Sequence, residues 1–142
     1  MEHSMKQSFI GVILLLSVLL LCCDESTSHG GMVNSGLEGS WLWKQSTGGI
    51  GGTTTIPAAG NVHVLRITSD STFVETKNDT ILFTDTFTTH LNSAGDSTKK
   101  QLVIDFLNSK RFSLLVEIVT NDSLILSDMI VDGYSSFYTR IR

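Results

Sequence analysis

The chain has 142 residues, with 10 basic and 14 acidic side chains and a formal net charge of −4; that is one domain's worth of polypeptide. The mild acidity leaves no basic footprint for nucleic acid or an anionic lipid surface. One proline, two cysteines and an even spread of aromatic and β-branched residues exclude a disulfide scaffold, a disordered composition and a two-domain enzyme.

The first element is an apolar run over residues 9–23, preceded by Lys6 and ending in Cys22-Cys23. At about 1.5 Å per residue it spans roughly 22 Å, short of a hydrocarbon core of about 30 Å, so it reads as a signal peptide over residues 1–23. Both cysteines sit in this leader, so no disulfide braces the domain that follows. The segment Leu20-Leu21-Cys22-Cys23 resembles a bacterial lipobox. That resemblance implies that Cys23 becomes a lipidated N-terminus and holds the protein at the cell envelope, at the outer membrane, by acyl chains. Residues 24–37 carry no periodic apolar pattern and read as a flexible tether.

From residue 38 onward, short apolar-rich runs alternate with turn residues. Residues 41–45 open the series, and a glycine-rich loop over 46–60 leads to 62–67. Then come 72–77, 81–89, 101–106, 112–119, 123–127 and 134–141. Asn78-Asp79, Asn121-Asp122 and Asp132-Gly133 separate runs with residues that tolerate positive φ, as tight hairpins demand. No stretch beyond the leader holds helical periodicity for two turns. Eight short strands with short connections make successive strands antiparallel neighbours, and closing the sheet removes its two edges. The expected fold is therefore all-β, an eight-stranded antiparallel up-and-down barrel whose interior fits side chains or one small ligand.

Alternation assigns the inner face. Ile81, Phe83, Asp85 and Phe87 share one side; so do Leu102, Ile104 and Phe106, then Phe112, Leu114, Val116 and Ile118, then Leu124 and Leu126. The candidate ligand-lining residues are Trp43, Phe83, Asp85, Phe87, Ile104, Phe106, Leu114, Val116 and Tyr138. Asp85 is the one carboxylate in these stripes.

Gly39-Ser40-Trp41 resembles the Gly-x-Trp signature of the lipocalin family, and Arg140 in Tyr138-Thr139-Arg140 stands where that family places a basic side chain over the tryptophan. The resemblance implies a barrel closed by the pair Trp41 and Arg140. Residues 38–142 are further similar to small lipocalin-like lipoproteins of Bacteroidetes-type bacteria, through Gly39-Ser-Trp-Leu-Trp-Lys44, the run Ser46-Thr-Gly-Gly-Ile-Gly-Gly52 and the terminal Tyr-x-Arg. The chain is shorter than full lipocalins and lacks their Thr-Asp-Tyr motif, which argues against a spacious cavity.

No catalytic signature stands out: His-Glu-x-x-His, Gly-x-Ser-x-Gly and Cys-x-x-Cys are all missing. Gly48-Gly49-Ile50-Gly51-Gly52 lacks a phosphate-binding ending and reads instead as part of a mobile loop over residues 46–60, which the lipocalin resemblance implies overhangs the barrel mouth. His63 and His90 have no neighbouring metal-ligand partner, so no metal and no cofactor is expected. Asp-Ser and Asp-Thr pairs at Asp70, Asp79, Asp96 and Asp122 resemble a bacterial O-glycosylation signal, though such pairs also make good turns. The functional expectation is a monomeric, membrane-anchored, non-catalytic binding protein holding a small apolar molecule. The alternative is an empty barrel that docks protein partners at the cell envelope.

Overall fold

The computed structural model describes residues 36–93 and 100–142. The leader, Cys23, most of the tether and the Asp96-Ser97 pair lie outside the described residues. The described residues form nine strands: β1 (Gly39–Gly48), β2 (Thr53–Thr55), β3 (His63–Ile67), β4 (Thr72–Lys77), β5 (Thr80–Asn92), β6 (Gln101–Phe106), β7 (Leu114–Val119), β8 (Ser123–Asp128) and β9 (Tyr134–Arg140). All are antiparallel to their neighbours, and β1 pairs with β3 on one side and β9 on the other. Eight strands thus form a closed barrel.

The strand outside the barrel, β2, changes the reading of residues 46–60. Ser46 to Gly48 continue β1, and Thr53–Thr55 fold back on them as a hairpin. Gly49 and Gly52 supply positive φ at 74° and 60° for its turn. The expected free loop over the mouth is therefore in part a sheet extension. At two other turns positive φ falls where the sequence placed it, on Asn78 (48°), Asp79 (64°) and Asp132 (57°).

One end of the barrel, the floor, is sealed by a single assembly. Trp41 is fully buried and its Nε1 donates to the Leu37 carbonyl at 2.9 Å. Arg140 is its register partner on β9, with the guanidinium carbon 3.9 Å from the indole centroid. Arg140 also donates to the carbonyls of Asn121 (2.6 Å), Glu38 (2.6 Å) and Gly36 (2.8 Å), tying three chain segments to one side chain. Gly39 makes room for it. A Cβ there would lie 2.3 Å from Arg140 Nη1, and its φ of +142° disfavours any other residue. Leu37, which the sequence assigned to the tether, is fully buried in the core beside Trp41.

The interior above the floor is filled. Phe73, Phe87, Leu65, Ile67, Ile104, Leu114, Val116, Leu124 and Leu126 are all buried in one cluster. Three inward assignments are corrected, two of them by β-bulges, which shift strand phase by one residue. A bulge between Val116 and Ile118 turns Ile118 outward (45% exposed) and Val119 onto the core. A second, opposite Glu75 and Thr76, pairs Ile81 with Thr76 and leaves Ile81 62% exposed. Phe112 is 58% exposed because β7 starts only at Leu114.

Candidate functional site

The other end of the barrel, the mouth, is where the apolar filling stops. A cavity of about 190 Å³ opens there, lined by Trp43, Ser46, His63, Leu65, Glu75, Leu82, Arg111, Ser136 and Tyr138 among others. Local strand geometry explains this set. In β1 a bulge at Lys44 makes Ser46 rather than Gln45 follow Trp43 inward, opposite Ser136 and Tyr138 of β9. In β3 and β4, alternation from the buried Leu65 and Phe73 brings His63 and Glu75 to the same face.

Arg111 comes from the β6–β7 connection, and Asp85 determines how that connection lies. Asp85 is 6% exposed on β5. Its Oδ1 accepts from Thr86 N (2.8 Å) and Asn108 Nδ2 (2.8 Å), and its Oδ2 from Ser109 N (2.7 Å). Burial pushes its carboxyl up, but the hydrogen bonds from Ser109 and Asn108 outweigh that and hold it down to about 2. Pinned this way, the connection carries Arg111 over the rings of Phe83 (4.8 Å to the centroid), Phe106 (5.2 Å) and Phe73 (5.4 Å). Those rings meet each other edge-on, Phe73 to Phe106 at 5.0 Å and Phe83 to Phe106 at 5.3 Å. The guanidinium thus lids the aromatic core by cation–π attraction and forms the bottom of the cavity. Its Nη2 pairs with Glu75 Oε1 at 3.0 Å.

A polar chain runs along the opposite wall. Trp43 Nε1 donates to Ser46 Oγ at 2.8 Å, and Ser46 Oγ and Ser136 Oγ share a hydrogen bond at 2.7 Å. Tyr138 adjoins Ser136. Burial first, then the Glu75 charge, raises its phenol above the ordinary value, so the hydroxyl keeps its proton. The Trp43 and His63 rings meet at 5.0 Å with a 52° tilt and form an aromatic wall. The site therefore offers two aromatic rings, hydroxyls and one ion pair within a space large enough for a single small molecule.

The sequence-derived lining residues separate into groups. Trp43 and Tyr138 reach the cavity. Phe87, Ile104, Leu114 and Val116 lie in the sealed core, and Phe83 and Phe106 lie beneath the Arg111 guanidinium. Asp85 organises the loop and does not line the cavity. Sequence reasoning missed His63, Glu75 and Arg111. Alternation from Leu65 and Phe73 carried the signal for the first two; an arginine in an irregular connection has no periodic signal.

Outside the barrel, His90 Nδ1 lies 2.7 Å from Asp105 Oδ2, and Ser113 Oγ donates to Asp105 Oδ1 at 2.5 Å. The carboxylate stands between hydroxyl and imidazole, so the histidine is not placed to activate the serine. Among the described residues no group of three or more His, Cys, Asp or Glu is arranged to hold a metal ion.

No family model matches the chain, and no curated protein and no solved structure matches it. The functional reading therefore rests on the barrel and its cavity.

Proposed function

We propose that the protein is a non-catalytic binding module that holds one small molecule in the mouth of its barrel, anchored to the cell envelope through a lipid on Cys23. The observation that carries the binding reading is the mouth cavity: a space of about 190 Å³ above a filled core, floored by Arg111 and Glu75 and walled by Trp43, His63 and Tyr138. A cavity of about 150 Å³ suffices for benzene, whereas drug-sized pockets run to about 300–1,000 Å³. The ligand is thus about one ring in size. The inward stripes that suggested a small apolar occupant are largely spent on core packing, and the polar groups among the cavity lining favour a ring with polar edges. The lipidated leader is supported by the sequence pattern of residues 6–23.

The test is native mass spectrometry of the monomer purified from its own membranes. A small molecule that co-purifies with wild type and is lost from Arg111→Met supports the reading; wild-type protein that is always empty overturns it. Intact-mass analysis tests the anchor, with acyl mass on wild type and none on Cys23→Ala.

One observation favours a second reading, a barrel that docks a protein partner through its rim. Gly49 N donates to the Asp132 carbonyl at 3.2 Å, which joins the β1–β2 hairpin to the β8–β9 loop. Their tips leave Ile50 95% and Val131 90% exposed. Empty wild-type barrels together with a partner lost from Ile50→Ser/Val131→Ser protein would select this reading.

A further inference from the structure

We infer that the molecule taken by the mouth cavity is an uncharged, planar, six-membered heterocycle whose edge carries a carbonyl beside a ring N–H, a lactam edge of the pyrimidinedione kind. This rests on the cavity being the binding site, and it assigns the ligand's chemical class.

The permanent charges at the cavity are Arg111 and Glu75, whose side chains are 27% and 26% exposed. Each already compensates the other. A charged ligand would add an ion with no counter-charge in a partly desolvated space, so the pair selects against net charge. A carboxylate ligand in particular would compete with Glu75 for one guanidinium.

What the pair leaves open is a donor beside an acceptor. Arg111 Nη2 pairs with Glu75 Oε1 at 3.0 Å, and both side chains are about a quarter exposed, so the guanidinium has further N–H groups and the carboxylate a second oxygen to turn toward a ligand. A carbonyl accepts from the guanidinium, and an adjacent ring N–H donates to the carboxylate. Both bonds are charge-assisted and the ion pair stays intact. A hydrocarbon would leave the same atoms covered and unpaired, which costs more than the contact returns.

Shape points the same way. Trp43 and His63, packed on each other with ring centroids 5.0 Å apart and planes tilted by 52°, bring two aromatic rings to the cavity lining. Of the bonded Ser46–Ser136 pair, the hydroxyl that accepts keeps its own proton and can donate it to a second carbonyl. The volume suits one six-membered ring with two or three substituent atoms.

The experiment is calorimetric titration of the full-length chain with four probes: thymine, phenol, benzoate and laurate. The expected result is saturable one-to-one binding of thymine, at least about tenfold tighter than phenol or benzoate. Glu75→Gln and Arg111→Lys each weaken thymine by at least about tenfold, while the rim variant Val131→Ser leaves it unchanged. Near-UV circular dichroism establishes that the variants fold. Should Glu75→Gln fail to fold, Trp43→Phe with its smaller ring surface serves instead, with a loss of at least about threefold expected. Benzoate, phenol or laurate binding as tightly as thymine would overturn the lactam assignment and leave the cavity reading standing. Silence from all four probes overturns the assignment too, and together with an empty barrel by mass spectrometry it removes both.

Discussion

Replacing Arg140 by methionine keeps an unbranched stem and removes only the guanidinium. Three carbonyls lose their donor. The bond to Gly36 is partly shielded (2.8 Å) and is worth about 1.5–3 kcal/mol as a charge-assisted bond. The bonds to Glu38 and Asn121 are exposed, and water replaces much of them, leaving about 1 kcal/mol together. Cation–π attraction to Trp41 at 3.9 Å adds about 0.5–2 kcal/mol, part of which the methionine sulfur returns over the same ring. The net loss is about 3 kcal/mol, a drop in Tm of roughly 10–20 °C for a domain of this size. Urea unfolding followed by tryptophan fluorescence measures it, with an unchanged m-value expected. Gly39→Ala provides the cross-check. Alone it places a Cβ 2.3 Å from Arg140 Nη1 as well as straining a φ of +142°. In the Arg140→Met background only the backbone strain remains, so the two costs fall short of additivity by about 1 kcal/mol or more. An Arg140→Met protein within about 0.5 kcal/mol of wild type, or strictly additive variants, would refute the picture of the guanidinium as the clasp of the floor.

The remaining predictions concern the mouth and the strand phases. Asp85 has its folded value near 2 against an ordinary 3.8. Its contribution is therefore complete above about pH 4 and is lost as pH falls toward 2, where the unfolded chain binds the extra proton. Stability measured across that window should flatten in Asp85→Asn; an unchanged acid slope would show that other carboxylates set it. Because the bulge before Ile118 inverts the strand phase, Ile118→Ser should stay within about 0.5 kcal/mol of wild type, while Val119→Ser costs about 1.5–3 kcal/mol in chemical denaturation. The reverse order would place the bulge elsewhere.

Much of this architecture was legible in the sequence because alternation and turn chemistry are local signals. Asn78-Asp79 and Asp132-Gly133 turn where their tolerance of positive φ says they should, and Phe87, Ile104 and Leu124 point inward as their period-two stripes require. The Trp41–Arg140 contact spans nearly the whole barrel sequence, and it was legible only through the resemblance to Gly-x-Trp barrels. The three inward misassignments share one cause. Alternation presumes an unbroken ladder, and neither bulges nor late strand starts are written in hydropathy, so Ile81, Ile118 and Phe112 fell on the wrong side. The site was harder to read than the fold. Glu75 and His63 lie on readable stripes but are polar, and the search for an apolar lining passed over them. Arg111 depends on Asp85 holding a loop across 24 residues of sequence, from Asp85 to Ser109, which no local pattern encodes. The same filling that makes Phe73, Phe87 and Phe106 a good core removes the space an apolar ligand would have needed.

The two tryptophans supply the most direct test of the binding claim, since Trp41 is sealed in the floor and Trp43 lines the cavity. Their indole N–H resonances in ¹⁵N-labelled protein can be followed while a small-molecule extract of the source cells is added. The account predicts that the Trp43 indole signal moves saturably while that of Trp41 stays in place. Movement of neither, or of backbone signals at Ile50 and Val131 alone, would contradict it.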